Sequence, residues 1–113
     1  MPSWNSFTVM GHVGRDPDYR PGGEKTSVCT FSVAENQYRQ GQESTAWWRV
    51  VCFGQRAERA EETIHSGDLV LVQGHLLIEH REEAGVPRDR YELLAQDIRL
   101  VQKRGEPGGD ESW

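Results

Sequence analysis

The sequence predicts an all-β fold, a five-stranded barrel carrying one short helix between strands three and four. Three observations predict it. Apolar and polar residues alternate with a period of two in five separate stretches, the pattern of strands that bury one face. One stretch, Gln55 to His65, switches to the three-and-four spacing of an amphipathic helix. Polar segments bearing glycine or proline separate these stretches, where the chain must turn.

In chain order, Met1 to Asn5 is a short lead, and Ser6 to Val13 is the first strand, with Phe7, Val9, Gly11 and Val13 on one side. Gly14 to Glu24 reads as turn, because Asp16-Pro17 and Pro21-Gly22-Gly23 both interrupt regular structure. Thr26 to Glu35 is the second strand, with Cys29, Phe31 and Val33 opposite Val28, Thr30 and Ser32. Asn36 to Ser44 is polar around Gly41 and is expected to be the loop of a long hairpin. The third strand runs to Phe53, with Gly54 closing it. In the helix, Ala57, Ala60 and Ile64 form the apolar stripe and Gly67 stands where a helix stop belongs. Leu69 to Ile78 is the fourth strand, with a bend or bulge expected at Gly74. Arg81 to Asp89 is expected to be a second hairpin loop, and Arg90 to Val101 the last strand. Three strands, a helix and two more strands is the order of an OB barrel. A β-sandwich would want more strands and no such helix. The domain is thus expected over residues 1–104. Residues 105–113 are expected to be a short, acidic, flexible tail.

The most informative stretch is Thr45-Ala46-Trp47-Trp48-Arg49-Val50-Val51-Cys52-Phe53-Gly54. Side chains on a strand alternate, so Trp47, Arg49, Val51 and Phe53 share one face, and Trp48, Val50 and Cys52 the other. Strand aromatics often belong to a core, but an arginine between two of them argues for a wet face, since a charge is rarely buried without a partner. Two flat rings with a guanidinium between them can hold the π-faces and phosphates of unpaired bases. The other face suits a barrel interior or a subunit contact.

Composition bounds the reading. The chain has 113 residues, enough for one domain with a modest core. Its mean hydropathy is −0.74. No apolar run approaches the roughly 18–20 residues of a membrane span, and no basic-plus-apolar leader is visible at the N-terminus, so a cytoplasmic address is expected. Cys29 and Cys52 both lie in strands, as small buried hydrophobes would. The net charge is −5, but Glu106, Asp110 and Glu111 lie in the tail, leaving thirteen basic against fifteen acidic residues before it. Eleven of the thirteen are arginines, the better residue for planar contact with phosphates and bases. Any nucleic-acid role therefore depends on where the arginines stand, not on bulk charge.

Several other chemistries find no support. Gly22-Gly23-Glu24-Lys25-Thr26 lacks the adjacent Gly-Lys of a phosphate loop. His12, His65, His75 and His80 show no zinc-ligand spacing, so no metal is expected. Glu58, Glu61 and Glu62 with Arg56 and Arg59 read as the solvated face of the helix. No carboxylate pair sits in an apolar frame suited to acid–base catalysis. Neither an enzymatic activity nor a cofactor is expected.

Four stretches in order carry a family likeness: Asn5 followed by Val9-Met10-Gly11-His12-Val13-Gly14-Arg15-Asp16-Pro17; Phe31-Ser32-Val33-Ala34; Trp47 to Gly54; and Gly67-Asp68-Leu69-Val70-Leu71-Val72-Gln73-Gly74-His75-Leu76. On these the chain resembles the bacterial-type single-stranded DNA-binding proteins, over about residues 5 to 101. The Trp-x-Arg-Val-Val-x-Phe-Gly stretch and the later Gly-x-Leu-Val-x-Val-x-Gly are the specific parts. The resemblance implies sequence-tolerant binding of single-stranded DNA in replication, recombination and repair, by an OB domain working as a homo-oligomer, usually a tetramer. It implies stacking roles for Trp47 and Phe53, an edge aromatic at Tyr38, basic contacts at Arg20 and Arg49, and a subunit contact near Trp48. Arg15 and Arg56 join the candidates because they flank the matched motifs.

Two departures stand out. The last hairpin carries His80 and Arg81 where many members have a tryptophan, which implies a weaker or shorter DNA footprint. The tail ends Gly109-Asp110-Glu111-Ser112-Trp113, acidic with a terminal aromatic but without the Pro-Phe tip through which relatives dock replication and repair proteins. Asp110, Glu111 and Trp113 are its candidate docking residues. Alternative readings stay open: a dimeric primosome-type protein that loads partners onto DNA, or an OB module that binds protein or oligosaccharide.

Overall fold

The computed structural model describes residues 3–105, so the candidate tail residues Asp110, Glu111 and Trp113 lie outside the described residues. Six strands and one helix follow in order: β1 Phe7–Val13, β2 Asp18–Arg20, β3 Val28–Arg39, β4 Gln42–Phe53, α1 Gln55–Thr63, β5 Leu69–Glu83 and β6 Val86–Gln102. Five of them close a barrel, β1-β5-β6-β4-β3 and back to β1, while β2 pairs only with the outer edge of β3. Two seams are short. β1 meets β3 only at His12–Ala34 and Val13–Val33, and β4 meets β6 in parallel only at Val50–Leu93 and Val51–Leu94.

The all-β barrel is as expected, with one correction to its count. The short strand β2 forms inside the segment read as turn, so α1 falls between the fourth and fifth strands and not the third and fourth. Three residues between proline-bearing turns carry too little alternation to show as a strand. Both hairpins are also longer than expected. β3 and β4 stay in register from Val28–Phe53 out to Arg39–Gln42, through the segment read as loop. β5 and β6 likewise pair out to Glu83–Val86. The two tips, Gln40-Gly41 and Ala84-Gly85, have positive φ at both residues, the backbone of the tight turns that match strand twist.

In β1, β3 and β4 the core comes from the expected faces, and β5 and β6 contribute one face each. Val9 and Val13, Cys29, Phe31 and Val33, Val50 and Cys52, Val70 and Val72, and Leu93 and Ala95 point inward. Ala57, Ala60 and Ile64 of the helix region plug one barrel end. At Gly11 a Cβ would stand 2.1 Å from the Ala34 carbonyl oxygen, so a bare backbone is what lets β1 approach β3. The expected irregularity at Gly74 is a register shift that leaves Gln96 out of the β5–β6 ladder. Cys52 donates to the Cys29 carbonyl at 3.6 Å, and pairing with the Cys29 side chain together with burial pushes its thiol up. Both cysteines are buried, so neither is an exposed nucleophile.

One buried charge ties the ends together. Asp68 accepts from the His65 amide at 2.9 Å and the Arg104 amide at 2.8 Å, with Lys103 Nζ 3.5 Å away. The Val13 amide donates to its carbonyl at 2.9 Å. The end of the helix, the start of β5 and the ends of β1 and β6 therefore meet on one residue. Burial pushes the Asp68 carboxyl up, yet the Arg104 and His65 amides and Lys103 outweigh it and hold it below the usual carboxylate range. A depressed folded-state pKa stabilises the fold above the unfolded value of about 4, and the gain is lost as pH falls through the folded value. Asp68→Asn should therefore lower the thermal midpoint at pH 7, with the gap to wild type closing below about pH 4. A gap of equal size at pH 2.5 would show that the charge contributes nothing.

Candidate nucleic-acid interface

On β4, burial of Trp48, Val50 and Cys52 toward the barrel leaves the alternate residues outside. Trp47 is 61% exposed and Phe53 46%, and Arg49 lies between them on the same face. Six residues apart, the two rings stand ~20 Å from one another along the strand. Val51 belongs to this face by alternation but is only 7% exposed, because β3 and β6 flank it at Thr30 and Leu94. The exposed surface is thus two aromatic stations with an arginine beside the first.

Trp47 lies against the backbone that follows β1. A Cβ on Gly14 would stand 2.8 Å from Trp47 Cζ3 and 2.7 Å from Ser32 Oγ, so the glycine makes room for the indole. A groove of about 400 Å³ opens there, lined by Arg15, Trp47 and Arg49 with Asp16, Asp18 and Ser32. Arg49 Nε donates to Glu92 at 3.0 Å across the β4–β6 seam, with both side chains partly open to solvent. Asp16 is occupied in holding the loop, accepting from the Ser66 amide at 2.8 Å.

Phe53 and Arg56 do not join this groove. They line a second one, of about 830 Å³, between α1 and the end of β6. Arg56 Nη1 donates to the Ala95 carbonyl at 3.4 Å. Arg20 on β2 and Phe53 share one cross-strand row through Val28, which puts them ~10 Å apart. Arg20 stays exposed beside Asp18, at 3.9 Å. Tyr38, 72% exposed, stands on the far arm of the β3–β4 hairpin. By register it shares the face of Trp47. Trp48 turns the other way, half-buried: its indole N–H donates to Glu35 Oε1 at 2.9 Å, and its ring tilts 51° against Phe7 with centroids 4.6 Å apart. Among the described residues, no group of three or more His, Cys, Asp or Glu side chains could hold a metal.

Sequence reasoning missed three residues here. Arg59 and Arg99 line the second groove, and neither carries a local signal, since the groove exists only once α1, packed on β2, β3 and β4, stands across from the end of β6. Tyr91 is 47% exposed and faces Ile78 across the β5–β6 hairpin. Its alternation with Leu93 and Ala95 points inward, but it lies beyond the rim of the barrel.

The family model of the single-strand binding proteins matches residues 4–101. The chain belongs to the single-strand binding protein family. A protein of Neisseria meningitidis serogroup A named single-stranded DNA-binding protein is 32% identical over 95% of this chain and 65% of its own length. One of the same name from Xanthomonas campestris is 32% identical over 90% of this chain and 63% of its own. The chain therefore spans just under two thirds of these relatives. A solved structure described as a Plasmodium falciparum SSB complex with ssDNA superposes with a TM-score of 0.79 at 25% identity, covering 90% of this chain and 98% of that one. Among the described residues, no helix is long and apolar enough to cross a membrane.

Gly14→Ala should push the Trp47 ring off its bed while the barrel stays folded. The expected result is a changed near-ultraviolet circular dichroism spectrum with an unchanged far-ultraviolet one. Identical spectra in both ranges would show that the indole does not rest on that backbone.

Proposed function

We propose that this protein binds single-stranded DNA without sequence preference, as in replication, recombination and repair. The observation that carries the reading is the outer face of β4, where two exposed rings flank an arginine and a second arginine lies across the groove. Trp47 and Phe53 would stack on bases, with Tyr38 extending the face along the hairpin. Arg15, Arg20, Arg49 and Arg56 would meet phosphates. Family membership and the names of the relatives point the same way. The work is binding, with no bond made or broken, and its setting is the cytoplasm, where DNA is to be found.

Base stacking on an aromatic side chain is worth roughly 1–3 kcal/mol per base. Two or three rings per subunit, on a body of near-neutral charge, make a weak single site. Linking subunits along one strand raises apparent affinity through effective concentration, so oligomerisation belongs to the mechanism. A homotetramer is the assembly we favour, with Trp48 and Phe7 near a subunit contact. Leu77, Ile78, Val86 and Tyr91 support an assembly, being large apolar side chains left exposed on the β5–β6 hairpin. The tail residues Asp110, Glu111 and Trp113 are proposed to dock replication and repair proteins.

Two outcomes test the reading. Oligo-dT should quench tryptophan fluorescence, with reversal by salt, and Trp47→Ala should weaken binding about 5- to 150-fold, the equivalent of one lost stack. Undiminished affinity in a folded Trp47→Ala protein would put the binding surface elsewhere. Sedimentation should give a tetramer that takes up oligo-dT in preference to duplex DNA. A dimer would favour the primosome-type loader, and equal uptake of duplex would favour neither.

A further inference from the structure

We infer that the groove between α1 and the end of β6 is a second contact for the same DNA strand, in which Arg59 and Arg99 hold phosphates that leave Phe53. The inference rests on the single-strand reading and adds to it two residues and a direction of travel. The groove holds about 830 Å³ against about 400 Å³ beside Trp47. Phe53 belongs to both the β4 face and this groove, so a strand stacked on that ring is already at its mouth.

The charge around the groove is one-sided. Arg56, Arg59 and Arg99 line it against a single carboxylate, Asp97, whose Oδ2 accepts from Arg99 Nε at 3.1 Å. That pair is largely open to solvent on both sides, a surface contact that contributes little in water, and a phosphate can replace it. Arg59 has no ion pair among the described residues. The helix acids Glu58, Glu61 and Glu62 are not among the groove's lining residues. Ile64, Ile98 and Leu100 contribute apolar surface between the guanidiniums, so bases and phosphates both find partners.

The test is length-dependent binding by Arg59→Ala/Arg99→Ala, checked for folding by thermal melting. An oligo-dT of about 8 nucleotides, near the lower end of OB site sizes, should bind within twofold of wild type. One of about 30 nucleotides should bind at least tenfold more weakly. Its log K against log salt slope should fall by about 1.4 per subunit engaged, at about 0.7 per lost single-strand phosphate contact. Arg59→Lys/Arg99→Lys should recover most of the long-oligomer affinity and the slope. Wild-type affinity and slope in the alanine variant at every length would overturn the inference and leave the single-strand function standing. Failure of wild type to bind any oligo-dT would take down both. If long-oligomer binding is unchanged while a synthetic acidic peptide of sequence 105–113 binds wild type and not the variant, the groove docks protein and the inference falls.

Discussion

The barrel closes where β1 lies against the Ala34 carbonyl, in a gap where a Cβ on Gly11 would stand 2.1 Å from that oxygen. β1 and β3 share only two paired positions there, so the backbone approach matters more than the ladder. Closure gives β3 and β4 an inside, and the inside dictates the outside. Val33, Val50 and Cys52 fill the core, so their neighbours along each strand point out of the barrel, Trp47, Arg49 and Phe53 into water and Val51 under the flanking strands. Trp47, Arg49 and Phe53 are outward because Trp48, Val50 and Cys52 are inward. A one-residue slip of β4 would exchange the sets, burying the arginine and exposing the core. The proposed binding face and the hydrophobic core are thus two consequences of one register.

The same reasoning explains which parts of the fold were legible in the sequence. Alternation identifies strands only where one face is buried, and it located β1, the inner halves of β3 and β4, and the start of β5 in that way. The arms beyond the barrel rim have water on both faces. There Asn36 to Ser44 is polar throughout and reads as a loop although it pairs residue by residue. Tyr91 fails for the opposite reason: its phase says core, but the barrel ends before reaching it. Val51 has the phase of a wet residue and is covered from the side by its hairpin partner β3 and by β6, which sequence alone does not bring near it. Of the site, the aromatic stations and Arg49 were readable because they sit on one strand. Arg59 and Arg99 lie forty residues apart in the chain and come to line one groove only through packing of the helix.

Charge distribution follows a similar division between local and global. With thirteen basic and fifteen acidic residues ahead of the tail, long-range steering of a polyanion is weak, and attraction must come from particular guanidiniums. Several of these are already committed: Arg49 to Glu92, Arg20 to Asp18, Arg99 to Asp97. Exposed pairs of this kind are worth little in water, so exchanging a carboxylate for a phosphate costs about as little. They also keep long side chains ordered beside the grooves before ligand arrives, which reduces the entropy lost on binding. Arg15, Arg56 and Arg59 are in no ion pair among the described residues and stand where the two grooves open.

These constraints join at Phe53. It is the last outward side chain of β4, in register with Val28 and through it with Arg20, and α1 begins two residues later. The strand that carries the aromatic face ends there, and the chain turns at Gly54, whose φ of 66° is open to glycine at little cost. That turn brings the first helical arginines beside the ring. A ligand following the face of β4 therefore meets a change of partner at Phe53, from stacking surface to guanidiniums. An aromatic face that ends in guanidiniums supports the proposed ligand, a long flexible polyanion, better than a small ligand held in one pocket.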